Sequence, residues 1–109
     1  SNAMKHQLLG VDMALIEDEG AVSNAVVSAM LLGAIREAKA DVGVAVSGIA
    51  GPGGSRPGKP VGTVYVAWGN ETALCTERFE FSGDRKAVRD QAVVKCFDRL
   101  IQWLEKNTV

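Results

Sequence analysis

A loop rich in glycine and proline is the part of this sequence best suited to bind a ligand. It follows Ser47, runs from Gly48 to Pro60 and carries two cations, Arg56 and Lys59. Glycine lets a backbone approach a ligand closely and turn its N–H groups toward an anion. The loop therefore suits a phosphate or a carboxylate, although it does not follow the phosphate-binding pattern GxxxxGK[ST]. A long connection that binds no ligand explains the same residues equally well.

Two arginines at helical spacing form a second candidate site. Arg85 and Arg89 lie one turn apart, directly after Ser82-Gly83-Asp84. They share one face near the start of a predicted helix. Two guanidinium groups beside the first N–H groups of a helix would form an anion site. The alternative is that Asp84 and Arg85 only cap the helix and form surface ion pairs.

The composition argues against several other kinds of site and partner. The single histidine, His6, cannot build a His/Cys metal cluster, and Cys75 and Cys96 lack CxxC spacing. We predict no metal and two reduced, buried thiols. Lys plus Arg is 12 and Asp plus Glu is 13, which argues against a nucleic-acid partner. No apolar run reaches the ~20 residues of a membrane span. No signal peptide follows Met4, so we expect a cytoplasmic protein.

Hydrophobic periodicity predicts two main helices. With Ser23 as its N-cap, the first helix is predicted from Asn24 to Lys39. The second follows Ser82 or Asp84 as its cap. Its predicted apolar stripe consists of Ala87, Val88, Val94, Phe97, Leu100, Ile101 and Leu104. The stretch from Asp12 to Asp18 is predicted as one or two helical turns.

Three segments are predicted as strands. Val42 to Val46 is apolar on both faces, as in a central strand. Val61 to Trp68 and Ala73 to Phe81 are joined by a turn and predict a β-hairpin. The fold class is therefore α/β, with a small mixed sheet (a strand, then a hairpin) packed by two main helices. Because the central strand has few neighbours, we expect another copy, or something that once flanked it, to complete the sheet.

Several separated segments are similar to the motifs of one protein family. In chain order they are Lys5–Val11, Gly20–Ser23 (GAVS), Val46–Pro52 (VSGIAGP), Lys59–Val64 (KPVGTV), Phe81–Arg85 (FSGDR) and Val88–Gln91. Together they resemble the C-terminal domain of the competence/damage-inducible protein CinA, the nicotinamide mononucleotide deamidase family. The resemblance covers essentially all of the chain from Lys5 to Leu104.

The resemblance implies an α/β domain, usually oligomeric, that hydrolyses the carboxamide of nicotinamide mononucleotide. The products are nicotinate mononucleotide and ammonia, and no metal or organic cofactor is needed. A serine nucleophile is helped by a lysine, which can activate a hydroxyl once desolvation lowers its pKa. By matching, the implied catalytic residues are Lys5 and Ser47. The implied substrate-binding residues are Gly48, Ile49, Ala50, Gly51, Lys59, Arg85 and Arg89.

The sequence departs from the family pattern at its beginning. The family's nucleophilic serine lies in an Ala-Glu-Ser-Cys/Thr-Gly-Gly stretch upstream of the lysine. Here Met4 is preceded by Ser1-Asn2-Ala3, which is typical of the remnant of a cleaved expression tag. We therefore expect a single partial domain over residues 4–109, inactive alone because the nucleophile segment is absent. The alternative is a non-catalytic nucleotide-binding or assembly module. In either case we expect a homo-oligomer formed through an exposed sheet edge or through helices.

Overall fold

Two buried strands at the centre of the sheet organise the molecule. The computed structural model describes residues 11–17, 23–48 and 62–107. The elements in chain order are β1 (Val11–Glu17), α1 (Asn24–Ala38), β2 (Val42–Gly48), β3 (Thr63–Gly69), β4 (Leu74–Glu80) and α2 (Arg85–Asn107). The strands form one mixed sheet in the order β1-β2-β3-β4. The predicted α/β fold with a hairpin and two main helices is confirmed.

The strand β1 corrects the prediction of helical turns over Asp12 to Asp18. It pairs parallel with β2 along its whole length, from Val11 opposite Val42 to Glu17 opposite Gly48. A buried central strand must satisfy its backbone N–H and C=O groups on both edges. Pairing with β2 therefore outweighs the weak local preference for a helix. Because β1 and β3 flank β2, the central strand needs no second copy to complete it.

Alternation along β2 and β3 divides the core into two layers. All residues of both strands are buried. On one face α1 covers the sheet, in a cluster of Val27, Leu31, Ile35, Ala45, Tyr65 and Ala67. On the opposite face α2 covers a larger cluster that includes Val44, Val46, Val66, Trp68, Val88, Cys96, Leu100 and Trp103. Since successive side chains of a strand point to opposite faces, each strand contributes to both layers.

Polar side chains fix the starts of both helices. The Ser23 hydroxyl accepts a hydrogen bond from the Val26 N–H at 3.1 Å, as predicted for the N-cap of α1. For α2, a carboxylate oxygen of Asp84 accepts one from the Ala87 N–H at 2.9 Å. Of the two predicted caps, Asp84 therefore caps α2.

The apolar stripe predicted for α2 mixes two faces of the helix. The buried residues of α2 are Val88, Ala92, Cys96, Leu100 and Trp103. Three predicted core residues are instead exposed, Val94 by 65%, Phe97 by 50% and Ile101 by 56%. A helix buries only one stripe against a sheet, and the i, i+4 series from Val88 to Leu100 occupies it.

The two cysteines differ in their surroundings. Cys96 lies on α2 and is buried against the sheet, as predicted, whereas Cys75 is exposed. The prediction of a buried thiol at Cys75 is wrong because it lies on β4, the edge strand. Burial raises the pKa of the Cys96 thiol from 9.0 to about 12. The folded protein therefore holds Cys96 as an uncharged thiol through neutral pH.

We expect a thiol reagent such as Ellman's reagent at pH 8 to modify Cys75 rapidly and Cys96 only after unfolding. The reactive species is the thiolate, which burial disfavours at Cys96. In Cys75→Ser no rapid reaction should remain, and two rapidly reacting thiols in the native protein would contradict the burial of Cys96.

The raised pKa of Cys96 also predicts that the stability of the protein depends on pH. The contribution of the buried thiol to stability is complete below pH 9 and is lost as pH rises toward 12, because the thiol of the unfolded chain releases its proton first.

Candidate functional site

The carboxyl ends of β1 and β2 meet at one end of the sheet, where Glu17 lies opposite Gly48. In α/β sheets, ligands bind just outside such carboxyl ends. β4 runs parallel to β2 because each pairs antiparallel with β3. The starts of α1 and α2 therefore lie at this same end of the sheet. The carboxyl end of β2 and both helix starts thus share one end of the sheet.

Two buried hydroxyl groups lie at this end of the sheet. Ser47 is 1% exposed and Thr63 is 0% exposed. Neither Ser47 Oγ nor Thr63 Oγ1 has a hydrogen-bond partner among the described residues. Leaving a buried hydroxyl unsatisfied costs about 1–3 kcal/mol, and native structures contain few such groups. An unpartnered pair marks a place where a ligand, or protein groups outside the described residues, could supply the missing hydrogen bonds.

The register of β2 and β3 brings the two hydroxyls onto one face. Ser47 is directly opposite Tyr65, so Thr63 is its diagonal neighbour, typically about 7–8 Å away between Cα atoms. Alternation places both side chains on the face covered by α1, with Tyr65 and Ala45. Ser47 was expected at the site from the resemblance, whereas Thr63 was not. The sequence signal for Thr63 is a hydroxyl residue in a fully buried strand, on the same face as Tyr65.

Gly48 also allows β3 to come close to β2. A Cβ atom there would lie 3.0 Å from both the Thr63 carbonyl oxygen and Val64 Cγ2. Gly48 is buried, and this contact gives it a packing role beside the predicted binding role. The other predicted members of the loop site, Ile49, Ala50, Gly51 and Lys59, lie outside the described residues, as does Lys5.

The segments KPVGTV and FSGDR, which are distant in sequence, meet in the structure. Gly62 has a φ of +95°, and its carbonyl oxygen accepts a hydrogen bond from the Phe81 N–H at 2.9 Å. After Phe81, the Gln91 side-chain amide donates to the Ser82 carbonyl oxygen at 2.8 Å. These bonds fix the start of β3 against the turn that leads into α2.

Arg85 and Arg89 are exposed on the first two turns of α2. Since α2 and α1 cover opposite faces, the sheet lies between these arginines and the two buried hydroxyls. The residues predicted as one site thus share an end of the sheet but not a face. Asp84 caps the helix, as the structural alternative requires, and both arginines interact with other groups of the protein. The anion-site interpretation of the arginines remains a prediction.

The described residues contain neither a group of metal ligands nor a membrane-spanning helix. Within residues 11–17, 23–48 and 62–107, no three His, Cys, Asp or Glu side chains are grouped to hold a metal ion. No helix in those ranges is long and apolar enough to cross a membrane.

Comparisons with known proteins identify relatives along nearly the whole chain. The nicotinamide-nucleotide amidohydrolase PncC of Pseudomonas putida is 51% identical over 94% of this chain and 64% of its own length. The protein of the same name from Escherichia coli K12 is 45% identical over 99% of this chain and 66% of its own length. This chain thus spans 64% to 66% of these two relatives.

Solved structures agree with the sequence relatives. A CinA superfamily protein from Klebsiella pneumoniae 700603 superposes with a TM-score of 0.74 at 37% identity, covering 97% of this chain and 66% of that one. A competence/damage-inducible protein from Agrobacterium tumefaciens gives 0.72 at 32% identity, covering 94% and 64%. The family model described as the CinA C-terminal domain matches residues 1–104. With its sheet, its helices and its sequence all matching, the chain belongs to the CinA C-terminal domain family.

Proposed function

We propose that this chain binds a nicotinamide nucleotide at the carboxyl end of β2, as part of an amide-hydrolysing site. The observation that carries the proposal is the pair of buried hydroxyls, Ser47 Oγ and Thr63 Oγ1, which have no hydrogen-bond partner among the described residues. They occur in a chain 51% identical to a protein named nicotinamide-nucleotide amidohydrolase. A pyridine nucleotide as ligand also favours a cytoplasmic location.

The chemistry of a carboxamide complements two hydroxyls. A hydroxyl both donates and accepts hydrogen bonds, and a carboxamide presents a C=O acceptor and an NH₂ donor. Two neighbouring hydroxyls can therefore satisfy both sides of the amide. Arg85 and Arg89 lie at the same end of the sheet on its other face, so the nucleotide would extend across that end. There these arginines and Lys59 would bind its phosphate, because cationic side chains and phosphate form charge-assisted hydrogen bonds. None of these roles requires a metal or an organic cofactor.

Hydrolysis requires more than these hydroxyls. A serine becomes a nucleophile when an adjacent base takes its proton, and Ser47 Oγ has no partner among the described residues. The predicted base is Lys5, outside those residues. In the reaction a serine oxygen would attack the carboxamide carbon, and ammonia would leave with a proton from the lysine. Water would then cleave the ester to the carboxylate. We propose that the chain alone binds the nucleotide and does not turn it over, which leaves a non-catalytic binding module as the alternative function.

Isothermal titration calorimetry with nicotinamide mononucleotide tests binding, and a coupled ammonia assay on the same sample tests turnover. We expect saturable heat at millimolar ligand and no steady ammonia release. Arg85→Gln with Arg89→Gln should weaken binding at least a hundredfold, because each charge-assisted bond contributes about 1.5–3 kcal/mol and every 1.4 kcal/mol is a factor of about ten. The double variant should bind nicotinamide riboside, which lacks the phosphate, as the parent does.

Lys106→Gln is the matched control, since it removes an exposed cation from the opposite end of α2. It should leave both affinities unchanged. The absence of any binding heat at millimolar nucleotide would refute the proposed function. Steady ammonia release that Lys5→Ala abolishes would instead show that this chain is a complete enzyme.

A further inference from the structure

The two buried hydroxyls of the proposed site are continuous with a pair of charged residues on the edge strand β4. In the antiparallel register of β3 and β4, Thr63 is directly opposite Glu80, and Tyr65 is directly opposite Arg78. Side chains that are opposite each other in a sheet point to the same face. Arg78 and Glu80 therefore lie on the α1 face of the sheet, together with the two hydroxyls.

Glu80 brings a negative charge close to Thr63. Directly opposite residues have Cβ atoms about 4.5–5.5 Å apart. Thr63 is 0% exposed, whereas the Glu80 side chain is 62% exposed. The two residues thus lead from the interior of the protein to the accessible edge of the sheet. A ligand bound at the hydroxyls has this carboxylate beside the part of it that leaves the buried site.

The Glu80 carboxylate also belongs to an exposed ion pair. Arg78 Nη2 donates to Glu80 Oε1 at 2.9 Å, and the Arg78 side chain is 42% exposed. Exposed ion pairs contribute little to stability. The carboxylate can therefore turn toward a second cation at little cost to the fold. An ion pair that only stabilises the edge strand is the structural alternative.

The ring of a nicotinamide nucleotide supplies such a cation. Its nitrogen carries a formal positive charge, and the nitrogen and the carboxamide belong to the same six-membered ring. A carboxamide bound by Ser47 and Thr63 therefore places the charged ring near the residue opposite Thr63. Charge attraction between that ring and a carboxylate grows stronger as the ligand displaces water. An uncharged ring of similar shape gains nothing from the carboxylate.

We propose that the Glu80 carboxylate lies beside the ring of the bound nucleotide and selects a positively charged pyridinium over a neutral ring. This inference rests on the proposed function, which supplies the nucleotide but assigns no group to its ring charge. The site therefore prefers oxidised to reduced nicotinamide nucleotides. Glu80 ends β4, and α2 begins at Arg85, so the carboxylate also lies on the path from the hydroxyls to the predicted phosphate site.

Reduced nicotinamide mononucleotide is the probe that isolates the ring charge, because it keeps the carboxamide, ribose and phosphate on an uncharged ring. Calorimetry gives the dissociation constants of both nucleotides for the parent and for Glu80→Gln. The variant should bind the oxidised nucleotide about fivefold more weakly, as expected for the loss of a partly exposed ion pair. It should bind the reduced nucleotide as the parent does. Comparing the two ratios cancels every effect of the substitution that both nucleotides share.

Glu71→Gln is the matched control. Glu71 forms an equivalent exposed pair with Arg36 at 3.0 Å, in the β3–β4 turn at the opposite end of the sheet. Its substitution should leave the preference for the oxidised nucleotide unchanged. Arg78→Gln removes the competing cation and should keep or enlarge that preference. Loss of the preference in Arg78→Gln would overturn the inference, because the carboxylate would then act only as the partner of Arg78.

The outcomes separate this inference from the proposed function. If Glu80→Gln changes the affinities for both nucleotides equally, or changes neither, the inference fails and Glu80 is left as a structural partner of Arg78. The proposed function survives that result, because both nucleotides still bind. A parent protein that binds neither nucleotide refutes the proposed function and the inference with it.

Discussion

Thr63→Val is expected to raise the free energy of unfolding by about 1 kcal/mol and to weaken nicotinamide mononucleotide binding at least tenfold. Valine has nearly the same shape as threonine and lacks the hydroxyl. Thr63 Oγ1 is fully buried and has no hydrogen-bond partner among the described residues, so its removal ends a desolvation cost without breaking a bond to any of them. If the ligand supplies the missing hydrogen bond, the same substitution removes one of the groups that bind it. Urea unfolding and calorimetry measure the two effects separately.

Thr76→Val is the matched control for this prediction. Thr76 is half-buried on β4, away from the carboxyl end of β2, so its substitution should leave nucleotide binding unchanged. Ser47→Ala should change binding in the same direction as Thr63→Val. A Thr63→Val protein that is less stable than the parent would mean that the hydroxyl already has a partner. Unchanged nucleotide affinity would remove Thr63 from the site.

The sign of the stability change on removing a hydroxyl distinguishes a hydroxyl that binds a ligand from one that stabilises the fold. A hydroxyl that serves the fold makes its hydrogen bond within the protein, so its loss lowers stability. A buried hydroxyl that bonds only to a ligand destabilises the ligand-free fold, because its hydrogen bonds are satisfied only in the complex. Ser47 and Thr63 have no hydrogen-bond partner in the described part of the chain, as the proposed binding role requires. Sites that trade stability for binding in this way are common in proteins.

The sequence predicts the elements of this fold where a local signal and the tertiary role agree. The Ser23 cap, the buried run of β2 and the β-hairpin all have strong local signals, and each is found as predicted. β1 has no comparable signal. Its residues become a strand because the open edge of β2 needs a partner, which is a requirement of the assembled sheet. Local patterns cannot express that requirement.

The arrangement of the candidate site residues could not be predicted from the sequence, for a geometric reason. The resemblance implies that Ser47 and Arg85 belong to one site, and the structure places them at one end of the sheet but on opposite faces. Sequence spacing does not say on which face of a sheet a helix packs. The two hydrophobic clusters answer that question, because one contains residues of α1 and the other residues of α2. Thr63 could be found only after the register had placed it beside Ser47 on the α1 face.

A similar ambiguity explains the three exposed apolar residues of α2. From the sequence, Val94, Phe97 and Ile101 join Val88 and Leu100 in one apolar pattern. A helix with hydrophobic residues on two sides can be covered by the sheet on only one of them. The predicted stripe was therefore too wide for the sheet alone.

Gly62→Ala is expected to have the largest effect on stability, a loss of about 2–4 kcal/mol. Gly62 has a φ of +95°, and a Cβ there would lie 2.1 Å from the Phe81 carbonyl oxygen. That oxygen belongs to the backbone, so the start of β3 would have to move away from the turn before α2. Because a domain is typically stable by about 5–15 kcal/mol, such a loss should lower the melting temperature by about 10 °C or more. Differential scanning calorimetry measures both quantities.

Gly33→Ala is the same chemical change with the opposite expected effect on stability. Gly33 lies inside α1, where an added Cβ atom would meet nothing within 4 Å, so alanine should stabilise the helix by about 0.5–1 kcal/mol. The pair therefore separates the cost of the Gly62 contact from any general effect of adding a methyl group. Movement at Gly62 would also displace the adjacent Thr63, so nucleotide binding should fall together with stability in Gly62→Ala and stay constant in Gly33→Ala. A Gly62→Ala protein as stable as the parent would show that the contact between Gly62 and Phe81 does not hold the start of β3, and the placement of Thr63 would then need another cause.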